Sequence, residues 1–171
     1  MNFDTENRKY WLLILVIIIG VGLDQLTKLW VVQAIPPHSV IKVITGFFNL
    51  VHIYNRGAAF GLLSNLSTTL ASLFFVFTTL IILGVLSYLY WRLSREQILA
   101  AIGYSLIMSG ALGNLIDRIR LGEVIDFLDF YLGRHHWPAF NVADSLICVG
   151  AGFLFLAIWR AEGEANVSHP V

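Results

Sequence analysis

Residues 113–130 read GNLIDRIRLGEVIDFLDF and hold three aspartates, one glutamate and two arginines. The chain around them is 57% hydrophobic and only 13% charged. Asp126 and Asp129 stand among Ile125, Phe127, Leu128 and Phe130, and a carboxylate surrounded by large apolar side chains costs free energy unless it is paired or put to use. Two carboxylates drawn together at a low-dielectric surface cannot both ionise easily, so the pair shares one proton. One member can then act as general base on water while the other, protonated, donates to a substrate carbonyl. That is the chemistry of aspartic peptide hydrolysis. Asp24, Asp117 and Asp144 are further candidates. Asn55, Asn114 and Asn141 offer neutral donors and acceptors, and Arg118 offers a charged fork for a peptide carbonyl.

Taken singly, most of these residues also have a purely structural reading. Asp144 follows Asn141 by three residues and suits the positive end of a helix. Asp24 and Lys28, four apart, read as an ion pair on one helix face. Asp117-Arg118 reads equally well as a solvated pair at a helix exit. The constellation is more specific than its parts. A serine–lysine mechanism is disfavoured, because Lys28 has only Thr27 and Thr45 near candidate positions. A metal centre is disfavoured too: HExxH is absent, no histidine pair has helical ligand spacing, and His135-His136 beside Trp137 reads as an interfacial feature. Cys148 is the only cysteine, which excludes a disulfide within one chain. No cofactor is expected.

The elements that position these groups follow from composition. A mean hydropathy of +0.75 over 171 residues is more apolar surface than one soluble core of this size hides, which makes the bilayer the solvent. Zero formal net charge gives no bulk attraction to nucleic acid. Four apolar runs predict transmembrane helices over 10–35, 66–91, 98–116 and 142–159. The first begins like a signal peptide but meets no cleavage site. SREQ before the third fits a capping box with Ser94 as N-cap and Gln97 at N3. Ala101, Ser105, Ser109 and Gly113 recur every four residues, a small-residue stripe that admits a neighbouring helix. Asn141 suits the N-cap of the fourth helix.

Four spans put both termini on one side and loops 36–65 and 117–141 on the other. Charge counting ties between the two sides; only the short turn holding Arg92 and Arg95 leans toward a cytoplasmic terminal side. SVIKVI and FFNLVHIY, split by Thr45-Gly46, predict a small β-sheet in loop 36–65, lying against the membrane surface. The fold class expected is an α-helical integral membrane protein of four helices with a small extramembrane sheet. The whole chain, 1–171, reads as one membrane domain with a polar tail at 161–171. Asp24, Asp117, Asp126, Asp129 and Asp144 all approach the loop-side face.

DQLTK (24–28), NRGAAFG (55–61), GNLIDR (113–118), VIDFLDF (124–130) and FNVADS (140–145) stand in the order seen in lipoprotein signal peptidases, or signal peptidases II, and the chain resembles that family from Asp24 to Asp144. The resemblance implies an aspartic endopeptidase of the bacterial inner membrane. Such an enzyme removes the signal peptide from prolipoproteins, just before the cysteine that carries diacylglycerol. By motif it implies Asp126 and Asp144 as the catalytic pair and Asn55, Asn114, Arg118 and Asn141 as residues lining the substrate cleft. It leaves Asp24, Lys28, Asp117 and Asp129 in support. It also implies cytoplasmic termini, a periplasmic site, prolipoprotein substrates and contact with membrane lipid; a monomer is expected. The alternatives are a small transporter or proton channel using intramembrane aspartates, which would spread acids through the membrane depth, and a noncatalytic lipid-binding protein, which has no use for paired aspartates. The GxGD motif of another intramembrane protease class is absent.

Overall fold

A computed structural model describes residues 8–57 and 68–168 of the chain. Its elements in order are α1 (Arg8–Ala34), β1 (Val40–Ile44), β2 (Phe48–Asn55), α2 (Thr68–Arg92), α3 (Ile98–Leu121), β3 (Val124–Leu132), β4 (His135–His136) and α4 (Val142–Ser168). Ala58–Gly61 of the NRGAAFG motif, the expected start of the second span at 66–67, and residues 169–171 of the expected tail lie outside the described residues. All four helices are long and apolar enough to cross a membrane. Their large apolar side chains point outward: Leu73, Phe77 and Leu80 of α2 and Phe155 and Trp159 of α4 are among the most exposed, as helices solvated by lipid require.

Helix α3 packs against each of the other three. Its expected small-residue stripe is buried and faces α1: an added Cβ on Gly20 would lie 2.2 Å from the Ser109 Oγ, and one on Gly113 would lie 2.5 Å from Asp24 Oδ2. A second small row, Gly103 and Gly110, faces α4. Close backbone approach of this kind is how helices associate where burial from water offers no drive. A Cβ at Gly110 would sit 2.2 Å from the Ala143 carbonyl oxygen. Gly110→Ala is therefore expected to destabilise the fold by about 1–3 kcal/mol and to lower activity by displacing the start of α4; unfolding followed in detergent checks the first effect. An unchanged transition would mean that α4 has room to move.

Three boundaries differ from the sequence reading. Helix α3 continues past 116 to Leu121, so Asp117 and Arg118 lie on its last turns rather than after its end. Gly122 stops it, in the left-handed conformation at φ 78°, with its N–H bonded to the Arg118 carbonyl at 3.0 Å. At the other end, Gln97 and not Ser94 is the N-cap. The Gln97 Oε1 does accept the Ser94 N–H at 2.9 Å, so half of the expected box forms one turn early. Helix α4 continues to Ser168, which makes residues 161–168 helical rather than an irregular tail.

The strands form one antiparallel sheet in the order β1-β2-β3-β4. The Thr45-Gly46 turn joins β1 to β2 as expected, with Gly46 at φ 84°. Loop 117–141 is more ordered than its sequence suggested: β3 pairs along β2, with Ile53 opposite Asp126 and Asn55 opposite Val124. Val31, Ile35, Ile125 and Phe127 form a buried cluster, with Leu50, Tyr54, Leu128 and Val142 packed on it. This cluster seats the sheet on the end of α1 and the start of α4, and so fixes β3 beside the helix ends.

Candidate active site

The N-terminus of α4 brings the two candidate carboxylates together. Asn141 precedes the helix and its Oδ1 accepts the Asp144 N–H at 3.0 Å. Asp144 Oδ2 accepts the Asn141 N–H at 3.2 Å in return. This is a reciprocal cap, so the capping reading of Asp144 holds alongside any chemical one. The Asn141 side-chain amide then turns outward and donates to Asp126 Oδ1 at 2.7 Å. One asparagine thus bonds both aspartates, one through its backbone and one through its side chain. The Asn114 amide donates to Asp144 Oδ1 at 2.8 Å, and the Asn55 amide to Asp126 Oδ2 at 2.8 Å. Asn55 Oδ1 also accepts the Gly57 N–H at 2.8 Å, which turns the chain after β2.

Below this pair lies a buried ion cluster. Lys28 Nζ is 2.9 Å from Asp24 Oδ2 and 2.7 Å from Asp117 Oδ2, and it donates to Asn114 Oδ1 at 3.1 Å. Lys28 and Asp24 are 1% and 0% exposed. Gln25 donates to both acids, at 3.1 Å to Asp24 and 3.0 Å to Asp117. Asp24 Oδ1 accepts the Ala143 N–H at 2.9 Å, and Asp117 Oδ2 accepts the Ile125 N–H at 3.3 Å. Every hydrogen-bonding group of the cluster is thereby satisfied by another, the condition for charges to persist in a low-dielectric interior.

Asp126 is buried on β3, outside the helices, and its carboxyl is pushed up from the usual 3.8 to about 7. Burial is the main cause. The hydrogen bond from Asn55 opposes it, the nearby Asp144 charge adds to it, and Asn141 and Lys28 oppose it. At neutral pH this carboxyl is poised between its two forms. Arg118 stands beside the pair: its charge interacts with Asp144, Asp126 and Asp117, and its guanidinium lies over the Phe75 ring at 5.0 Å. Ser72 Oγ donates to its carbonyl at 3.2 Å.

Asp24, Lys28, Asn55, Asn114, Asp117, Asp126, Asn141 and Asp144 therefore form one connected network, with Arg118 at its side. Asp129 is not in it. Its carboxylate accepts from Asn49 at 2.8 Å and from His136 Nδ1 at 2.8 Å, fastening β2 to β4. Sequence reasoning does not single out Gln25, Phe75 or Asn49, and it takes His136 only for an interfacial residue. Gln25 is findable, since it sits between Asp24 and Lys28 on one helix; Phe75 lies in an apolar helix where nothing distinguishes it. Among the described residues no three His, Cys, Asp or Glu side chains form a metal-ligand group.

The family model described as "Signal peptidase (SPase) II" matches residues 16–160. The chain belongs to the signal peptidase II family. Lipoprotein signal peptidase of Syntrophotalea carbinolica is 46% identical over 152 residues, which cover 89% of this chain and 93% of that one. The enzyme of the same name from Geobacter sulfurreducens is 49% identical over 140 residues, 82% of this chain and 86% of that one. A solved bacterial membrane enzyme, determined by the in meso method at 1.9 Å resolution, superposes with a TM-score of 0.75 at 34% identity, covering 85% of this chain and 91% of its own. As a signal peptidase II the chain is an aspartic peptidase, a hydrolase, and a multi-pass protein of the bacterial inner membrane. The transporter reading is set aside.

Proposed function

We propose that the chain removes the signal peptide from prolipoproteins carrying diacylglyceryl-cysteine, cutting just before that cysteine, with Asp126 and Asp144 as the catalytic dyad. The observation that carries the site assignment is Asn141, which bonds both carboxylates. A water held between them loses its proton to the ionised carboxylate as its oxygen attacks the scissile carbonyl carbon. The protonated partner gives its proton to the carbonyl oxygen. Collapse of the tetrahedral intermediate breaks the C–N bond: the leaving amine takes the proton first removed from water, and a hydroxyl proton of the intermediate returns to the partner carboxylate, which restores the shared-proton pair. Arg118, not tied to an acid by a direct hydrogen bond among those described, holds the peptide backbone. Asn55, Asn114 and Asn141 line the same cleft, and their amides fix the carboxylates between turnovers.

The chain is proposed to work as a monomer built as a single membrane domain over 1–171, with lipid as its other partner. The deciding experiment is purified protein on a diacylglyceryl-modified prolipoprotein peptide, with the cut site read by mass spectrometry. Cleavage elsewhere than before the cysteine would refute the reading.

Two further results are expected. Activity falls as pH rises through about 7, because Asp126 then loses the proton it donates. The stability effect has the same direction: the folded state holds a proton that the unfolded state has released, so stability declines as pH rises from 3.8 to about 7. A pH–rate profile flat from about 6 to about 9, across the range where such a carboxyl titrates, would refute the role of Asp126. The termini are proposed to lie in the cytoplasm and the dyad at the periplasmic face. A reporter fused after Val171 is then active only in the cytoplasm and one inserted at Ser39 only in the periplasm; both on one side would mean that one helix does not cross.

A further inference from the structure

The buried ion cluster has a geometry that simple charge neutralisation does not require. Asp24 and Asp117 each direct one oxygen contact to a backbone N–H, those of Ala143 and Ile125. These are the residues immediately before Asp144 and Asp126. The two acids come from α1 and α3, and the two grips fall on α4 and β3. A single ammonium, Lys28 Nζ, holds both acids at 2.9 and 2.7 Å. The same ammonium holds the oxygen of Asn114, whose amide faces Asp144. That orientation matters. Because Lys28 occupies Asn114 Oδ1, the Asn114 nitrogen is the end left to meet Asp144.

We infer that Lys28 is a positioning residue for the dyad: through Asp24, Asp117 and Asn114 it sets where the backbone carrying each catalytic aspartate sits, without touching substrate. This rests on the dyad reading and deepens it. The arrangement takes a lysine wholly out of water, a cost offset only by complete coordination. A surface ion pair would neutralise Asp24 at less cost, but could not reach β3 and α4 at once. Lys28 also acts on Asp126 through space, favouring its ionised form against the opposing influence of burial and Asp144. The groups facing Asp126 are Asn55 on β2, Asn141 and Asp144 at the start of α4, Arg118 on α3 and Lys28 on α1. Removing Lys28 therefore moves the alkaline limb of the rate profile upward, an effect that loss of packing alone does not produce.

The test uses the full chain in detergent or bilayer. Lys28→Met leaves two acids facing one another unpaired, so it is accompanied by the double variant Lys28→Met/Asp24→Asn. There one positive and one negative charge leave together, and the amide oxygen introduced at position 24 can still accept the Ala143 N–H. For the double variant the expected result is a fall in kcat of roughly a hundredfold, the cost of misplacing a reacting group by about 1 Å, with KM within about twofold of the parent. In the single variant Lys28→Met, where only the positive charge leaves, the alkaline limb moves to higher pH. A second arm needs no substrate: hydrogen exchange at the Ile125 and Ala143 amides speeds up at least about tenfold, while amides on the lipid-facing part of α2 are unchanged. A folded double variant with parental kcat overturns the inference, as does a rise in KM alone. Parental exchange at both amides overturns it as well. If the parent fails to cleave a prolipoprotein at all, the functional reading falls, and the exchange arm still decides whether Lys28 fixes these two backbones.

Discussion

Asp126→Asn and Asp144→Asn each lower kcat by at least about a thousandfold while the protein stays folded and membrane-inserted. An amide at either position keeps one acceptor oxygen of the two that now accept and cannot take a proton from water or share one with its partner, and general acid–base groups that act as a unit are each worth a large part of the whole. The two variants part company in stability. Asp126 is held with its carboxyl raised from 3.8 to about 7, so at about pH 8 the folded state carries an ionised group that its surroundings disfavour. Replacing it with asparagine removes that ionisation cost, so the variant's stability relative to the parent rises between pH 3.8 and about 7, offset in part by the hydrogen bond that the new NH2 cannot accept. The gain vanishes well below 3.8, where folded and unfolded chains are both protonated at this position. Asp144, by contrast, accepts the Asn141 N–H. An amide oxygen is a weaker partner at the positive end of a helix than a carboxylate, so Asp144→Asn costs about 1 kcal/mol. Paired activity and unfolding measurements at about pH 5 and about pH 8, on either side of the raised value, check both halves. Wild-type turnover in either variant would sink the dyad. Asp129→Asn is expected to retain most activity, since its partners are Asn49 and His136 rather than the dyad.

The legible parts of the fold were those with a local cause. The four helices were written in runs of apolar residues too long for a soluble core, and the first hairpin in two β-branched segments around Thr45-Gly46. The small stripe Ala101, Ser105, Ser109, Gly113 predicted a close helix neighbour, and Gly20 of α1 meets it. Asn141 announced the α4 cap. The end of α3 is hidden because Asp117-Arg118 looks like a solvated exit, although Gly122 and the basic Arg118 and Arg120 are the usual marks of a helix C-terminus. Strand β3 is hard to recognise because its first four residues are buried on both faces, which erases the alternation that identifies a half-exposed strand. The motifs named the candidate site residues, but not how they are wired together. That Lys28 serves three partners, and that Asp129 turns away to His136, depends on contacts between residues far apart in the chain or on opposite strands, and no local pattern encodes them.

A diacylglyceryl-cysteine peptide is expected to be cleaved with a kcat/KM at least about a thousandfold above that of the same peptide without lipid. The proposed dyad sits where β3 and the start of α4 meet the ends of α1 and α3, at one end of helices whose outer faces are apolar. A substrate anchored by acyl chains stays in the bilayer while its peptide reaches that level. Each buried methylene contributes about 0.8 kcal/mol, so loss of even a few removes several kcal/mol of local concentration. The lipid also fixes which peptide bond lies over the dyad, and orientation of this kind appears in kcat rather than in KM alone. Arg118 and the asparagines offer charge and amide groups suited to peptide backbone, so sequence tolerance before the cysteine is expected to accompany strict dependence on the lipid. Both peptides would be compared in the same bilayer, with single-turnover rates separating binding from chemistry. Equal kcat/KM for the two would refute lipid-directed cleavage even with the dyad intact. A difference confined to KM would mean that the acyl chains only concentrate the substrate and that the peptide backbone alone sets the register of the cut.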